Sequence, residues 1–263
     1  MPAGNLSRPL HGLARTGARL ARLALDALVP PSCPVCDSSV EAAGLICAAC
    51  FPRFRPIAPP LCDACGLPVA ATETPSGPGL CPACTARRPL YRRARAVWLY
   101  GGAAKDLILR LKYADREDLA PTLGRLMARA GADLLREADL LLPVPLHLRR
   151  LLARRYNQAA LLARAVARAS GVPAAVDALR RTRATPPLAD LSREEREASL
   201  IDAFAVRRRW AGRIAGGRIV LIDDVLTSGS TAEACAEALL AAGAAWVDVL
   251  AAARTPPRAA APA

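Results

Sequence analysis

The hydrophobic pattern changes period repeatedly from about residue 94 onward. Short apolar runs bounded by turn residues predict strands. These runs lie at Ala94–Tyr100, Leu140–Val144, Arg218–Ile222 and Ala245–Ala252. Helical spacing of apolar residues predicts helices at 104–113, 117–136, 149–169 and 230–242. Gly124 and Gly131 weaken the second of these helices. Because strands and helices alternate, the pattern predicts an α/β domain with a parallel sheet.

The remaining segments are less regular. Residues 10–28 have the spacing of an amphipathic helix, which we expect to pack on its own protein. Residues 182–204 are polar, contain Pro186 and Pro187, and are predicted to form a loop. The Pro/Ala-rich tail after Arg254 is predicted to be disordered. Neither an apolar stretch long enough for a transmembrane helix nor a secretion signal is evident, so a cytoplasmic location is expected.

Eight of the nine cysteines form four C-x-x-C pairs. They are Cys33 with Cys36, Cys47 with Cys50, Cys62 with Cys65, and Cys81 with Cys84. Each pair places two sulfurs on one side of a tight turn, and two pairs complete a tetrahedral site suited to Zn²⁺. A disulfide framework fits poorly with four regular pairs and no secretion signal, and redox chemistry would need only one pair. The sequence therefore predicts two structural zinc sites.

The pairing of these cysteines has two solutions. Sequential ribbons would group the first two pairs in one site and the last two in the other, whereas a cross-braced arrangement would interleave them. Loops of 10 and 15 residues within the sequential groups are hairpin-sized, which favours sequential ribbons. Either way every ligand is a protein sulfur, so both sites are predicted to stabilise the fold and not to catalyse.

One segment, residues 219–231, has the features of a phosphate site. Four apolar residues predict a buried strand, and Asp223 and Asp224 follow at its carboxyl end, where open α/β sheets bind ligands. A loop of small hydroxyl residues around Gly229 leads into a helix, whose N-terminal amides attract phosphate. The hydroxyl residues are Thr227, Ser228, Ser230 and Thr231. The two acids would repel phosphate, so sugar hydroxyls and hydrated Mg²⁺ are their natural partners.

This segment resembles the phosphoribosyl-pyrophosphate (PRPP) signature of type I phosphoribosyltransferases at nearly every position. An acid often stands in purine-type members where this chain has Thr227, which argues against a purine acceptor. Other segments resemble the ComF family, in which a cysteine-rich zinc ribbon module precedes a phosphoribosyltransferase domain. They are Leu111-Lys112-Tyr113, Pro143-Val144-Pro145-Leu146-His147, Arg154-Arg155-Tyr156-Asn157-Gln158, Thr185-Pro186-Pro187-Leu188, Arg196 and Ala203-Phe204. Arg155 and Leu188 replace the family's usual glycine and glutamine.

The resemblance implies roles for single residues. Asp223 and Asp224 would hold the ribose, and Lys112 would add charge near the pyrophosphate; these three are the implied catalytic residues. Pro143 and Val144 would begin the loop that cradles pyrophosphate, and residues 227–231 would hold the 5-phosphate. Asn157 and Gln158 would support the pocket, and residues 182–204 would form a hood over it. Mg²⁺ is implied together with PRPP.

Charge adds a second hypothesis. The net charge is +13, Lys105 and Lys112 are the only lysines, and residues 140–183 contain nine arginines against one aspartate. Such clustering favours an anionic partner. The ComF family is linked to DNA uptake in natural transformation, so the resemblance implies two functions. One is transfer of ribose 5-phosphate to an unknown acceptor, and the other is non-catalytic handling of single-stranded DNA together with other DNA-uptake proteins. A PRPP-sensing regulator ranks third.

The predicted fold class is thus α/β: a type I phosphoribosyltransferase with a Rossmann-like parallel sheet, preceded by a small double zinc-ribbon domain. The predicted boundaries are 1–30 for an N-terminal amphipathic helix, 31–89 for the double zinc ribbon, 90–254 for the phosphoribosyltransferase domain and 255–263 for the tail.

Overall fold

The structure is a computed structural model that describes residues 30–69, 79–114, 116–146, 156–183 and 193–256. The chain divides into two compact units between Phe51 and Pro52. The predicted N-terminal helix at 10–28 and the last seven residues of the tail lie outside the described residues, so the domain boundaries chosen from sequence stay a prediction.

The first unit is organised around the first two cysteine pairs. An isolated antiparallel bridge joins Ser32 to Ser39 around the first turn. The N–H of Cys33 donates to the carbonyl of Ser38 at 2.7 Å, which closes that turn. A short 3₁₀ turn, Phe51–Arg53, follows the second pair.

The second unit contains a four-stranded parallel sheet. Its strands are β1 Ala94–Leu99, β2 Leu140–Pro143, β5 Arg218–Leu226 and β6 Trp246–Arg254, in the order β1-β6-β5-β2. A separate antiparallel pair is formed by β3 Leu179–Arg181 and β4 Phe204–Val206. All four strands of the main sheet run parallel, so their carboxyl ends meet at one edge. This confirms the predicted α/β class.

The helices of this unit connect the strands. They are α1 Pro82–Ala86, α2 Gly102–Tyr113, α3 Ala120–Ala130, α4 Ala132–Leu135, α5 Gln158–Ser170, α6 Arg193–Leu200, α7 Ala211–Ile214 and α8 Ser230–Ala241. Two 3₁₀ turns lie at Glu117–Leu119 and Arg208–Trp210.

The helices cover both faces of the sheet. On one face α3 and α5 pack so closely that a methyl group on Gly124 would stand 2.4 Å from Ala165 Cβ. On the other face Cys235 and Leu239 of α8 share a core with Leu221 and Val249 of the central strands. Gly124 therefore serves a close helix contact, although its intrinsic propensity weakens the predicted helix. The helix does break at Gly131, which separates α3 from α4.

Several boundaries differ from the predictions. The prediction of a loop at 182–204 was wrong for residues 193–200. These residues form α6, and Leu200 at its end is buried. Charged residues dominate α6 and hide its apolar period, although most are good helix formers. The helix predicted from residue 149 begins at Gln158 in the described chain, because Asn157 has extended dihedral angles and caps it. The predicted segments at 149–155 and 184–192 lie outside the described residues.

Strand β5 is four residues longer than predicted and runs to Leu226. Asp223 pairs with Ala251 of β6 and Val225 pairs with Ala253, so the two acids lie within the strand and not after it. Aspartate disfavours strands intrinsically, but pairing with the equally long β6 outweighs that preference.

Candidate active site and metal centres

The carboxyl edge of the parallel sheet brings together most of the predicted PRPP-site residues. Asp223 and Asp224 lie near the end of β5, and the hydroxyl loop follows directly. Pro143 ends the neighbouring strand β2, and the N–H of Val144 donates to the carbonyl of Ile222 at 2.9 Å. The predicted phosphate loop and the predicted pyrophosphate loop therefore follow the carboxyl ends of two adjacent strands, β5 and β2.

Lys112 reaches this edge from the last turn of α2. Its Nζ lies 2.9 Å from Asp224 Oδ1, and the two side chains are 17% and 12% exposed. The sequence predicted that Lys112 adds a positive charge near the pyrophosphate. The structure adds that the Lys112 ammonium group is paired with the Asp224 carboxylate. A largely desolvated ion pair attracts strongly, and it also fixes both side chains at the edge of the sheet.

The second acid is in a different electrostatic state. Burial, reinforced by the neighbouring Asp224 carboxylate, raises the pKa of Asp223 to about 7, while Lys112 acts to lower it. Asp223 Oδ1 also accepts a hydrogen bond from the Asp224 N–H at 2.8 Å. Two adjacent carboxyl groups, one of which is paired with Lys112, attract additional positive charge or hydroxyl donors, such as those of a ribose.

The hydroxyl loop has the geometry of an anion site. Gly229 adopts φ +88°, a left-handed conformation that turns the chain into α8. The Oγ atoms of Ser228 and Ser230 lie 3.0 Å apart. The N-cap residue of α8 is Gly229, which has no side chain to cap the helix, and the Ser230 N–H donates a long hydrogen bond of 3.5 Å to Ser228 Oγ of the loop itself. Thr227 is exposed and Thr231 is half-buried. The arrangement offers backbone and hydroxyl donors to a phosphate.

The Tyr156-Asn157-Gln158 segment fixes two parts of this site. The Asn157 side chain donates to the carbonyl of Val144 at 3.2 Å and accepts from the Ala159 N–H at 3.0 Å. Tyr156 donates to the carbonyl of Leu111 at 2.7 Å, and Gln158 donates to that of Lys112 at 3.4 Å. These residues therefore tie the end of β2 to the end of α2. The sequence predicted support for the pocket, and these contacts specify what is supported.

The eight paired cysteines form two four-sulfur clusters. Cys33, Cys36, Cys47 and Cys50 form the first, and Cys62, Cys65, Cys81 and Cys84 form the second. The sulfurs of each cluster lie within 4.8 Å of one another, as tetrahedral Zn²⁺ coordination requires. The sequential pairing is therefore confirmed, and the donor set fits zinc.

Backbone amides prepare the cluster sulfurs for a metal. Cys62 Sγ accepts from the N–H groups of Cys65 at 3.5 Å and Cys81 at 3.3 Å. Burial alone would raise the pKa of Cys62, but these amides, with that of Ala64, lower it to about 7. A thiol with a lowered pKa gives up its proton readily, as metal binding requires.

Contacts that the sequence did not reveal link the second cluster to the phosphate loop. Arg87, three residues after Cys84, lies 3.3 Å from the Glu233 carboxylate in the first turn of α8. The Ala94 N–H of β1 donates to the carbonyl of Ala64 at 2.7 Å. Tyr91, between these two points, is 3% exposed and lies against Gly229. The one sequence signal that could have drawn attention to Tyr91 is that aromatic residues make up only 4% of the chain.

Other predicted residues are placed differently or not at all. His147 and the arginines at 149, 150, 154 and 155 lie outside the described residues, as does Leu188. Every helix in the described part of the chain is too short or too polar to cross a lipid bilayer.

Comparisons with known proteins agree with this architecture. Residues 24–85 match the family model described as the double zinc ribbon domain. Over 215 residues the chain is 34% identical to the DNA utilization protein YhgH of Escherichia coli (strain K12), covering 80% of this chain and 90% of that protein. Over 194 residues it is 28% identical to Competence protein F of Haemophilus influenzae, covering 71% and 80%.

Among solved structures, the chain matches the glutamine phosphoribosylpyrophosphate amidotransferase from B. subtilis complexed with ADP and GMP. Its TM-score is 0.37 at 22% identity, and the match covers 54% of this chain and 30% of that one. A structure of the allosteric regulatory enzyme of purine biosynthesis gives a TM-score of 0.38, also at 22% identity, with 55% and 30% covered. The chain thus spans less than a third of the length of either.

The double zinc ribbon, the parallel sheet with its hydroxyl loop and the extensive identity to YhgH point to one assignment. The chain belongs to the ComF family, with a double zinc ribbon preceding an α/β domain built on a parallel sheet.

Proposed function

We propose that the chain binds PRPP with Mg²⁺ at the carboxyl edge of its sheet and transfers ribose 5-phosphate to a nitrogen nucleophile. The main support is the Lys112–Asp224 pair beside the hydroxyl loop, because it combines ribose-binding carboxylates, a cation and phosphate donors at one sheet edge. The loop 227–231 holds the 5-phosphate, Asp223 and Asp224 hold the ribose hydroxyls, and Pro143 and Val144 border the pyrophosphate.

The chemistry asked of these residues is mainly electrostatic. The bond from ribose C1 to the pyrophosphate oxygen breaks while a bond from C1 to the acceptor nitrogen forms, and pyrophosphate leaves with the electron pair. Lys112 and the loop amides stabilise the departing and retained phosphates, and the Asp223 and Asp224 carboxylates lie near the positive charge that develops on the sugar. Carboxylate oxygens and substrate phosphates are the ligands that Mg²⁺ prefers, and when bound it neutralises pyrophosphate charge.

Asp223→Asn tests this function. We expect Mg·PRPP to bind the zinc-replete wild-type protein in calorimetric titration and the variant to lose that binding, because asparagine keeps only one acceptor oxygen, presents an NH₂ donor in place of the other, and lacks the negative charge that attracts Mg²⁺. Asp118→Asn is the matched control, since the Asp118 side chain is 61% exposed and pairs with Arg116, which is not one of the site residues. An Asp223→Asn variant that binds like wild type would contradict the assignment. Pyrophosphate release in an acceptor screen then tests turnover.

A second function, contact with single-stranded DNA, is suggested by the names of the relatives and by basic residues on the surface. Arg207, Arg208 and Arg213 are exposed around the 3₁₀ turn before α7. Arginines on one surface bind phosphates by counter-ion release, which makes the affinity depend strongly on salt. On this proposal the DNA surface and the PRPP site are separate.

Replacing Arg207, Arg208 and Arg213 with alanine should weaken binding of a fluorescent oligonucleotide and reduce its salt slope by up to about 2 units, at about 0.7 per phosphate contact. Asp223→Asn should leave DNA binding mostly intact. Fluorescence anisotropy at several salt concentrations measures both. An unchanged slope in the triple variant would exclude this surface, and equal loss in a folded Asp223→Asn protein would show that the two sites are not separate.

A further inference from the structure

Tyr91 lies beneath the phosphate loop, in the segment between the second cysteine cluster and β1. A methyl group on Gly229 would stand 3.2 Å from the Tyr91 hydroxyl oxygen and 3.7 Å from its Cε1. The ring packs in the core that includes Leu226 before the loop and Ala232 after it. The Tyr91 side chain therefore reaches the turn of the loop from the side of the hydrophobic core, and its hydroxyl oxygen lies next to Gly229.

The Tyr91 residue as a whole is 3% exposed, its hydroxyl makes no hydrogen bond within the described ranges of the chain, and its oxygen is not one of the fully buried unpaired polar atoms of those ranges. Buried tyrosine hydroxyls almost always find a hydrogen-bond partner, because an unpaired polar group costs free energy. Burial also raises the pKa of Tyr91 to about 12, so the hydroxyl keeps its proton at neutral pH. It can therefore donate a hydrogen bond to an acceptor that binds at the loop.

We propose that Tyr91 is a residue of the phosphate site, whose hydroxyl donates a hydrogen bond to a phosphomonoester held by Thr227–Thr231. This inference rests on the proposed function, in which that phosphomonoester is the 5-phosphate of PRPP. Phosphate oxygens are strong acceptors, and a donor at the turn of the loop adds to the amides and hydroxyls already there.

The backbone around Tyr91 is held on both sides, so its hydroxyl is positioned before a ligand arrives. Arg87, four residues earlier, pairs with the Glu233 carboxylate of α8. On the other side, the Arg92 N–H donates to the carbonyl of Val247 at 2.7 Å. A donor fixed in this way loses little conformational entropy on binding, which favours affinity.

Tyr91→Phe separates the hydroxyl from the ring. We expect the variant to bind ribose 5-phosphate about tenfold or more weakly, since hydrogen bonds to charged groups are the stronger ones. Binding of pyrophosphate, which lacks the 5-phosphate, should be unchanged. Titration calorimetry with each ligand and Mg²⁺ measures both, and Arg88→Ala, an exposed neighbour, is the control.

The two ligands distinguish the ways in which the proposal fails. Unchanged ribose 5-phosphate affinity in Tyr91→Phe would overturn the role of the hydroxyl and leave the proposed function standing. Equal losses for ribose 5-phosphate and pyrophosphate would mean that Tyr91 supports the whole sheet edge and does not contact the 5-phosphate. If wild type bound neither ribose 5-phosphate nor PRPP, the proposed function and this inference would fail together.

Discussion

Lys112→Met should destabilise the protein by about 2 to 3 kcal/mol near pH 8 and much less near pH 4. The variant leaves the Asp224 carboxylate, 12% exposed, beside Asp223 without its cation. Breaking a fully buried pair costs about 3–5 kcal/mol, and the residual exposure here reduces that cost. Urea unfolding at several pH values measures the difference.

The pH dependence follows from the sign of the pKa shift. Burial already raises the pKa of Asp223 to about 7, and removing the Lys112 charge raises it further. A carboxyl group with a raised pKa in the folded state loses stability as pH rises from its unfolded value, about 4, to its folded value. Below about pH 7 Asp223 is protonated in both folded proteins, so both lose stability equally and the deficit of Lys112→Met should stay small. It should grow from about pH 7 up to the higher folded pKa of Asp223 in the variant and then stay constant.

A rescue variant separates stability from ligand binding. Lys112→Met combined with Asp224→Asn removes both charges, so most of the lost stability should return. PRPP affinity should stay at least about tenfold lower, because the double variant lacks both the charge that faces the pyrophosphate and one of the two ribose carboxylates. Lys105→Met is the matched control, since Lys105 is the only other lysine and is exposed on the same helix. A double variant that binds PRPP like wild type would reduce Lys112 to a counter-ion for Asp224.

The eight zinc ligands were predictable because their geometry is local, whereas the choice between sequential and cross-braced pairing was only favoured by the sequence and was decided by the structure. Spacing alone places two sulfurs on each turn and sets the loop lengths that favour sequential pairing, so identifying the ligands required no knowledge of distant contacts. The sequence also predicted the strand, hydroxyl loop and helix of residues 219–231, since one continuous segment contains the strand, the turn and the helix N-terminus.

Features that depend on tertiary contacts were not predictable in this way. The partner of Lys112 is 112 positions away in the sequence, and no local pattern pairs it with Asp224. Glycine has a low helix propensity, but Gly124 is needed within α3 because α5 packs too closely against it to leave room for a side chain. The acids at 223 and 224 lie inside β5 because β6 continues alongside them. The contacts of Arg87 with Glu233 and of Tyr91 with Gly229 depend on the position of α8 and the loop before it, which the sequence did not predict.

Loss of zinc from the second cluster should abolish measurable PRPP binding. Cys84 lies in α1, immediately before Arg87 and Tyr91, and its cluster shares a core with Leu99 at the end of β1. Metal binding supplies much of the folding free energy of such small modules, about 10–16 kcal/mol in isolated zinc fingers. Cys84→Ser should therefore release the segment that holds Tyr91 and Arg87 against the phosphate loop.

A buried charge adds to this coupling. Burial raises the pKa of Cys65 to about 11, while the Leu67 N–H and the nearby Arg254 guanidinium oppose the rise. Arg254 is 7% exposed, and its Nε and Nη1 atoms have no hydrogen-bond partner in the described part of the chain. Four thiolates around Zn²⁺ carry a net negative charge that offsets such a cation. Without the metal, Arg254 would remain buried at the carboxyl end of β6 with no compensating charge.

Zinc content and PRPP affinity of Cys84→Ser are the two measurements. We expect zinc per chain, measured by mass spectrometry of the metal, to fall from two to one, and calorimetric PRPP binding to disappear. Cys235→Ala changes a buried cysteine outside both clusters and should keep two zinc ions. Arg87→Ala should give a partial loss of PRPP affinity with both zinc ions retained, because it breaks one contact to α8 and leaves the cluster intact. If Cys84→Ser lost its zinc and bound PRPP with wild-type affinity, the second ribbon would not support the phosphate loop, and the Arg87–Glu233 contact would be only a surface ion pair.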